Sequence, residues 1–164
     1  MSPRLLGLDL GERRIGLALA DTEVGRAHPL ATVRRGRTNE DDATTIGRHI
    51  DEQGIDELVV GLPLEASGAE GPMAVAARAW AESLAALVGL PVSLRDERLT
   101  SHLAEQRLGP MRRGRSGGPP TKTQRDEYRA RVDREAAAIL LQDELDARSA
   151  APRSAALAAQ SEAR

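Results

Sequence analysis

Three acidic positions stand where a carboxylate needs a reason to be. Asp9 interrupts the apolar run Leu5-Leu-Gly-Leu-Asp-Leu10. Carboxylates are depleted in strands and costly to bury without a partner. Asp96-Glu97 follows the apolar segment that starts at Pro91, at a strand's carboxyl end, where open α/β sheets place ligands. Asp133 precedes Ala136, Ala137 and Leu140 at helical spacing, on the stripe that faces a sheet. Each has a structural use as well. Asp9 suits a bond to the Gly-rich turn after it, Asp96-Glu97 a helix cap, and Asp133 an ion pair with Arg129 or a solvated helix edge. Converging from a strand, a strand end and a late helix, the three would repel one another unless they held cations. Two Mg2+ or Mn2+ ions about 4 Å apart would serve both the attacking and the leaving oxygen of a phosphodiester.

Composition narrows the chemistry. The chain has 164 residues and suits one domain. It has no cysteine, which excludes disulfides, thiolate metal sites and cysteine nucleophiles. Three scattered histidines, His28, His49 and His102, argue against a histidine zinc site. A metal here would be a hard ion held by oxygen. The formal charge of −2 carries no global sign of nucleic-acid binding, so that case rests on local patches. With aromatics limited to Trp80 and Tyr128, the core must be aliphatic and base-stacking platforms are scarce. Met-Ser-Pro-Arg leads into a strand rather than a signal peptide, and no apolar run reaches about 20 residues. A cytoplasmic protein without membrane contact is the expectation.

The elements that must position these acids read as follows. Residues 4–10 and 15–20 are apolar runs joined too tightly for a crossover helix, so they form an antiparallel hairpin. His28 to Val33 is a short third strand, with Pro29 near its start or at an edge. Thr38 caps a helix with Glu40, Asp41 and Asp42 in its first turn, Ile46 and Ile50 on one face and Gly54 at its end. Leu58 to Leu62 is a buried strand. Pro72 opens a helix running to Val88, with a stripe including Val75, Ala79 and Leu87. A fifth strand covers 91–94, a helix 100–108 and a last helix 126–147. Three antiparallel strands followed by two β-α-β crossovers give an α/β fold with a mixed five-stranded sheet.

Gly109 to Thr123 is rich in Gly, Pro and Arg and reads as a mobile basic loop. Residues 148–164, rich in Ala, Ser and Arg, read as a disordered tail outside the 1–147 domain. Between 107 and 134 the basic residues Arg107, Arg112, Arg113, Arg115, Lys122, Arg125, Arg129, Arg131 and Arg134 outnumber Asp126, Glu127 and Asp133. Such a segment suits a phosphate-gripping face, although charge runs are more often only solvated surface.

Taken together, Gly-Leu-Asp-Leu-Gly-Glu-Arg-Arg-Ile-Gly-Leu-Ala (7–18), Val-Val-Gly-Leu-Pro (59–63), Glu-Gly-Pro (70–72), Asp-Glu-Arg-Leu-Thr (96–100) and Val-Asp-Arg-Glu-Ala-Ala-Ala-Ile-Leu-Leu-Gln (132–142) resemble the YqgF family over residues 4–146. These RNase H-like proteins are related to Holliday junction resolvases and described as pre-16S rRNA nucleases. The resemblance implies an RNase H-like fold and a two-metal nuclease acting on structured RNA, with Asp9, Glu97 and Asp133 as catalytic metal ligands and Asp9 bridging the ions. Arg14 and Arg98 would hold flanking phosphates. With Arg112, Arg113, Arg115 and Lys122 they make up the expected nucleic-acid contacts. The expected partners are pre-rRNA, with branched DNA second, and ribosomal precursor particles, bound by a monomer or weak homodimer. Relatives often carry Ser or Cys where Ala20 precedes Asp21, a departure that leaves the acids untouched. A Holliday-junction resolvase and a catalytically silent assembly module are the alternatives. The two-lobed ATP-binding fold of sugar kinases shares the Gly-x-Asp-x-Gly hairpin but needs a second lobe.

Overall fold

The structure, a computed structural model, describes residues 2–162, with side chains as far as Ala150. The order is β1 (Arg4–Leu10), β2 (Arg14–Asp21), β3 (Arg26–Arg34), α1 (Asn39–Gln53), β4 (Glu57–Leu62), α2 (Pro72–Val88), β5 (Val92–Asp96), α3 (Thr100–Leu108) and α4 (Lys122–Glu162). The five strands lie in the order β3-β2-β1-β4-β5. β1, β2 and β3 pair antiparallel, whereas β4 joins β1 and β5 in parallel, giving the mixed sheet read from the sequence. β3 lies at the edge, where Pro29 is tolerated, and its register with β2 shifts at Leu17/Ala18. No described helix is long and apolar enough to cross a membrane.

Period-2 alternation divides the strands between two different layers. Leu6, Leu8, Ile15, Leu17, Leu58 and Val60 face α1 and α2, where they meet Ile46, Ile50, Trp80 and Leu84. Leu5, Ala18, Ala20 and Val59 face α4, against Ala137, Ala138, Leu141 and Leu145. α4 comes close on this side because glycines let it. A Cβ on Gly7 would lie 3.0 Å from the Ala137 carbonyl, and one on Gly16 would overlap the carbonyl of Asp133. α3 packs on the outer side of α4 through Ala104, Val132, Ala136 and Ile139.

α1 begins as its sequence predicts. Thr38 and Asp41 form a reciprocal capping box, and Gly54 closes the helix in the left-handed region at φ 62°. Asp42 departs from a simple dipole role, turning inward to accept the Trp80 Nε1–H at 3.0 Å and the Gly36 N–H at 2.7 Å.

Three expectations need correction. The stripe assigned to α2 is its outer face: Val75, Ala79 and Leu87 are exposed, and Ala74, Ala77, Trp80, Ala81 and Leu84 are buried. α2 is apolar nearly all round, so periodicity leaves its buried face open, and the bulk of Trp80 with its bond to Asp42 decides it. The last helix starts at Lys122 rather than Asp126, because Thr121 and Gln124 cap it reciprocally at 2.8 and 3.2 Å. The basic loop therefore shortens to residues 109–121, with a turn closed between Gly114 and Gly118. α4 also runs to Glu162, past the expected helix end at Ala147. Arg148, the first residue of the expected tail, is held by Glu57 at 2.8 Å and Glu144 at 3.0 Å. Residues 163 and 164, also assigned to the tail, lie outside the described residues.

Candidate active site

Asp9 follows Gly7 on the α4 side of β1, near the carboxyl end of a central strand. Glu97 comes from the turn after β5. Its N–H donates to the Leu62 carbonyl at 3.2 Å, and its side chain folds back over Gly61. A Cβ on Gly61 would occupy the space of that carboxylate. The turn is locked by Thr100, whose N–H and Oγ1 both reach the Glu97 carbonyl, at 3.1 and 2.9 Å. Leu99 is forced into the left-handed region at φ 67°, the one such non-glycine residue among those described, and its side chain is exposed. Strain of this kind persists only where its surroundings over-determine it, and it clusters at working sites.

The carboxyls of Asp9 and Glu97 share a hydrogen bond, and both hold protons more tightly than ordinary acids. Burial raises Asp9, the bond to Glu97 opposes that rise, and the charge of Asp133 adds to it. Burial, then the charge and hydrogen bond of Asp9, then the charge of Asp96 push Glu97 up to about 10. One ionised carboxyl here disfavours a second beside it. Glu97 Oε2 is buried with no hydrogen-bond partner.

Asp133 stands beside this pair on the sheet-facing side of α4, near enough for its charge to act on Asp9. Its carboxylate accepts from Arg14 Nε at 2.6 Å, rather than from Arg129. Among the described residues no three acidic or histidine side chains are gathered tightly enough to enclose a metal ion as they stand. Asp9 and Glu97 are together; Asp133 is one step aside, facing Arg14.

Asp96 has a different role from Glu97. It accepts from the Arg98 N–H at 2.9 Å and Arg98 Nε at 2.8 Å. Those bonds, Arg98 side chain first, hold it below the usual carboxylate range despite slight burial. Arg98, expected to grip phosphate, is thereby engaged, and also reaches the Ala66 carbonyl at 3.3 Å. Arg112, Arg113 and Arg115 are exposed, with no hydrogen-bond or ion-pair partner among the described residues. Lys122 lies 3.9 Å from Asp126.

Beside Asp133 opens a groove lined by Gly11, Glu12, Arg13, Arg14, Asp126 and Arg129, continuing past Arg34, Arg35 and Lys122. Arg13, Arg34 and Arg35 escaped the sequence reading. The available signal was the strand register, which sets Arg14 directly opposite Arg34.

Residues 3–147 match the RuvX family, described as a Holliday junction resolvase. The chain belongs to the RuvX family. This is also the YqgF family of the sequence motifs. Among curated relatives, a protein of Anaeromyxobacter sp. (strain Fw109-5) named "Putative pre-16S rRNA nuclease" is 49% identical over 147 residues, covering 90% of this chain and 99% of its own. A Chloroflexus aggregans protein of the same name is 43% identical over 144 residues, 88% and 94% of the two chains. Among solved structures, Thermus thermophilus RuvC in complex with Holliday junction substrate superposes with a TM-score of 0.52 over 90% of this RuvX-family chain and 96% of its own, at 16% identity. That likeness concerns the fold, which is RNase H-like.

Proposed function

We propose that this protein is a divalent-metal-dependent nuclease that hydrolyses phosphodiester bonds in structured RNA, with the 5′ end of pre-16S rRNA as substrate during ribosome assembly. The family membership and the relatives' names support this reading. The observation that carries it is the Asp9–Glu97 pair, two half-buried carboxyls set against each other with Glu97 Oε2 buried and unpartnered. Such a pair is costly as a structural device. It fits a hard divalent cation, which satisfies the free oxygen and neutralises the repulsion, and the all-oxygen donor set suits Mg2+ or Mn2+.

Asp9 and Glu97 would hold such ions, with Asp133 completing their surroundings. When bound, the ions supply Lewis acidity at the scissile phosphate and offset charge on the attacking and leaving oxygens. The protein's own groups do the rest. β1 and the Thr100-locked turn hold Asp9 and Glu97 fixed against the sheet, so no carboxylate reorganises during reaction. The arginine groove holds the phosphates next to the cleaved one, and Arg112, Arg113 and Arg115 bring a second set of charges over them. The place of action is the cytoplasm, beside ribosomal precursor particles.

A cleavage assay decides the matter, using a pre-16S rRNA 5′ fragment and a four-way DNA junction, each with Mg2+, Mn2+ or EDTA. Metal-dependent cutting of the RNA, lost in Asp9→Asn, is the expected result. Preferential cutting of the junction would turn the reading to a resolvase. Binding of RNA without cutting under any metal would make the protein an assembly module.

A further inference from the structure

We propose that Arg14 is an internal counter-ion that trades places with a divalent cation at Asp133, so that metal loading releases its guanidinium to a nucleic-acid phosphate in the arginine groove. This rests on the nuclease reading of the site. The pair itself is suited to exchange. Arg14 Nε meets Asp133 Oδ2 at 2.6 Å, with 29% and 23% of the two side chains exposed. Ion pairs that touch solvent contribute little net stability, so a stronger ligand can displace one partner. A divalent ion beside Asp9 and Glu97 is such a ligand, because it gains from every carboxylate it touches.

The backbone around Arg14 is rigid, which confines the exchange to its side chain. The Gly11 N–H donates to the Arg14 carbonyl at 2.8 Å, closing the turn between β1 and β2. A Cβ on Gly11 would sit 2.9 Å from that same oxygen. Arg14 is therefore anchored at its root and free at its tip.

The groove beside it says what a released guanidinium would meet. Arg14 faces Arg34 directly across the β2–β3 register, and like charges so placed repel. Arg13, Arg35, Lys122 and Arg129 line the same groove. Its other acids are Glu12 and Asp126, the latter already near Lys122. With Asp133 taken by metal, what steadies Arg14 among these cations is an anion with several acceptor oxygens, and a phosphodiester matches its planar fork. Metal and nucleic acid then bind with positive coupling, equal in both directions.

The experiment measures Mn2+ binding by calorimetry and binding of a phosphorothioate RNA by fluorescence anisotropy, with and without Mn2+. Arg14→Gln should bind Mn2+ about fivefold more tightly than wild type, because its competitor is gone. Arg13→Gln removes the same charge without touching Asp133, and should change Mn2+ affinity by less than about twofold. Mn2+ should raise the wild type's RNA affinity about fivefold more than it raises that of Arg14→Gln. Should Arg14→Gln fail to fold, Arg14→Lys keeps the charge but loses the Nε contact, and should move both quantities in the same directions by less. Equal Mn2+ affinity in wild type and the Arg14 variants, or an equal gain in Arg13→Gln, would overturn the exchange. If the wild type binds no Mn2+ and Asp9→Asn behaves identically, the nuclease reading itself falls, and the exchange with it.

Discussion

On the α1/α2 side of the sheet, β1, β2 and β4 present Leu6, Leu8, Ile15, Leu17, Leu58 and Val60, all fully buried. On the α4 side the same strands present Leu5 and Val59 and, towards the acids, Gly7, Asp9, Gly16, Ala18 and Gly61, and the cover is a single helix carrying Asp133. Neighbouring residues in one strand thus serve opposite ends. Large aliphatic side chains fill one layer, where every lost methylene is felt. Absent side chains on the other layer make room for a helix backbone at Gly16 and for a carboxylate at Gly61. One sheet can hold both because the first face supplies stability that the second, with its crowded acids, gives away.

Substituting Asp9→Asn tests the second face most severely. Cleavage should fall on the order of a thousandfold, as when a central catalytic group is lost. Stability measured without added metal should rise by about 1 kcal/mol, since like-charge repulsion falls. Wild-type cleavage, or a lower melting temperature, would break the contrast between the faces.

On the first face, Leu84→Ala should cost about 2–5 kcal/mol in denaturant unfolding, because Leu84 is 1% exposed in the α1/α2 layer. Cleavage per folded molecule should stay unchanged. A matching loss of specific activity would show that the layers are not independent.

A pH series sharpens the comparison. The folded-state value of Glu97, about 10, lies above its ordinary 4.5, so its contribution to stability is full below 4.5 and is lost as pH rises toward 10. Melting temperatures recorded with EDTA should therefore decline across that window in wild type and decline less in Glu97→Gln. Identical slopes would mean that its surroundings do not hold Glu97 protonated.

The smallest effect on the fold should come from the loop. Replacing Arg112, Arg113 and Arg115 by alanine should leave thermal stability nearly unchanged, since none has a partner among the described residues. RNA affinity should weaken whatever the sequence, and the slope of log affinity against log salt should become shallower by up to about one per lost phosphate contact. An unchanged slope would confine phosphate binding to the groove beside Asp133.

Local chemistry made much of this legible in the sequence. Thr38, Asp41 and Gly54 announce α1 because capping is settled within a few residues, and the short link at Gly11 forces a hairpin. Asp9 and Glu97 were visible as acids out of place. What stayed hidden depends on which residues meet across the fold. The buried side of α2 waits on Trp80 finding Asp42, from another helix. Asp96 and Glu97 are adjacent in sequence, yet one turns to Arg98 and the other to Asp9, a choice made by Gly61 and Thr100. The arginines at 13, 34 and 35 become one groove only after β2 and β3 pair. Asp133 was placed on the right side of its helix, while its partner, Arg14, came from the far end of the chain.

That last distance has a consequence for when the protein can act. Arg14 and Asp133 are 119 positions apart in sequence. At translation speeds of about 5–20 residues per second, roughly 6 to 24 s separate the synthesis of the two. β1 must wait as long for the helix that covers it. A chain still emerging from a ribosome therefore holds Arg14 without the α4 carboxylate that it meets in the finished fold.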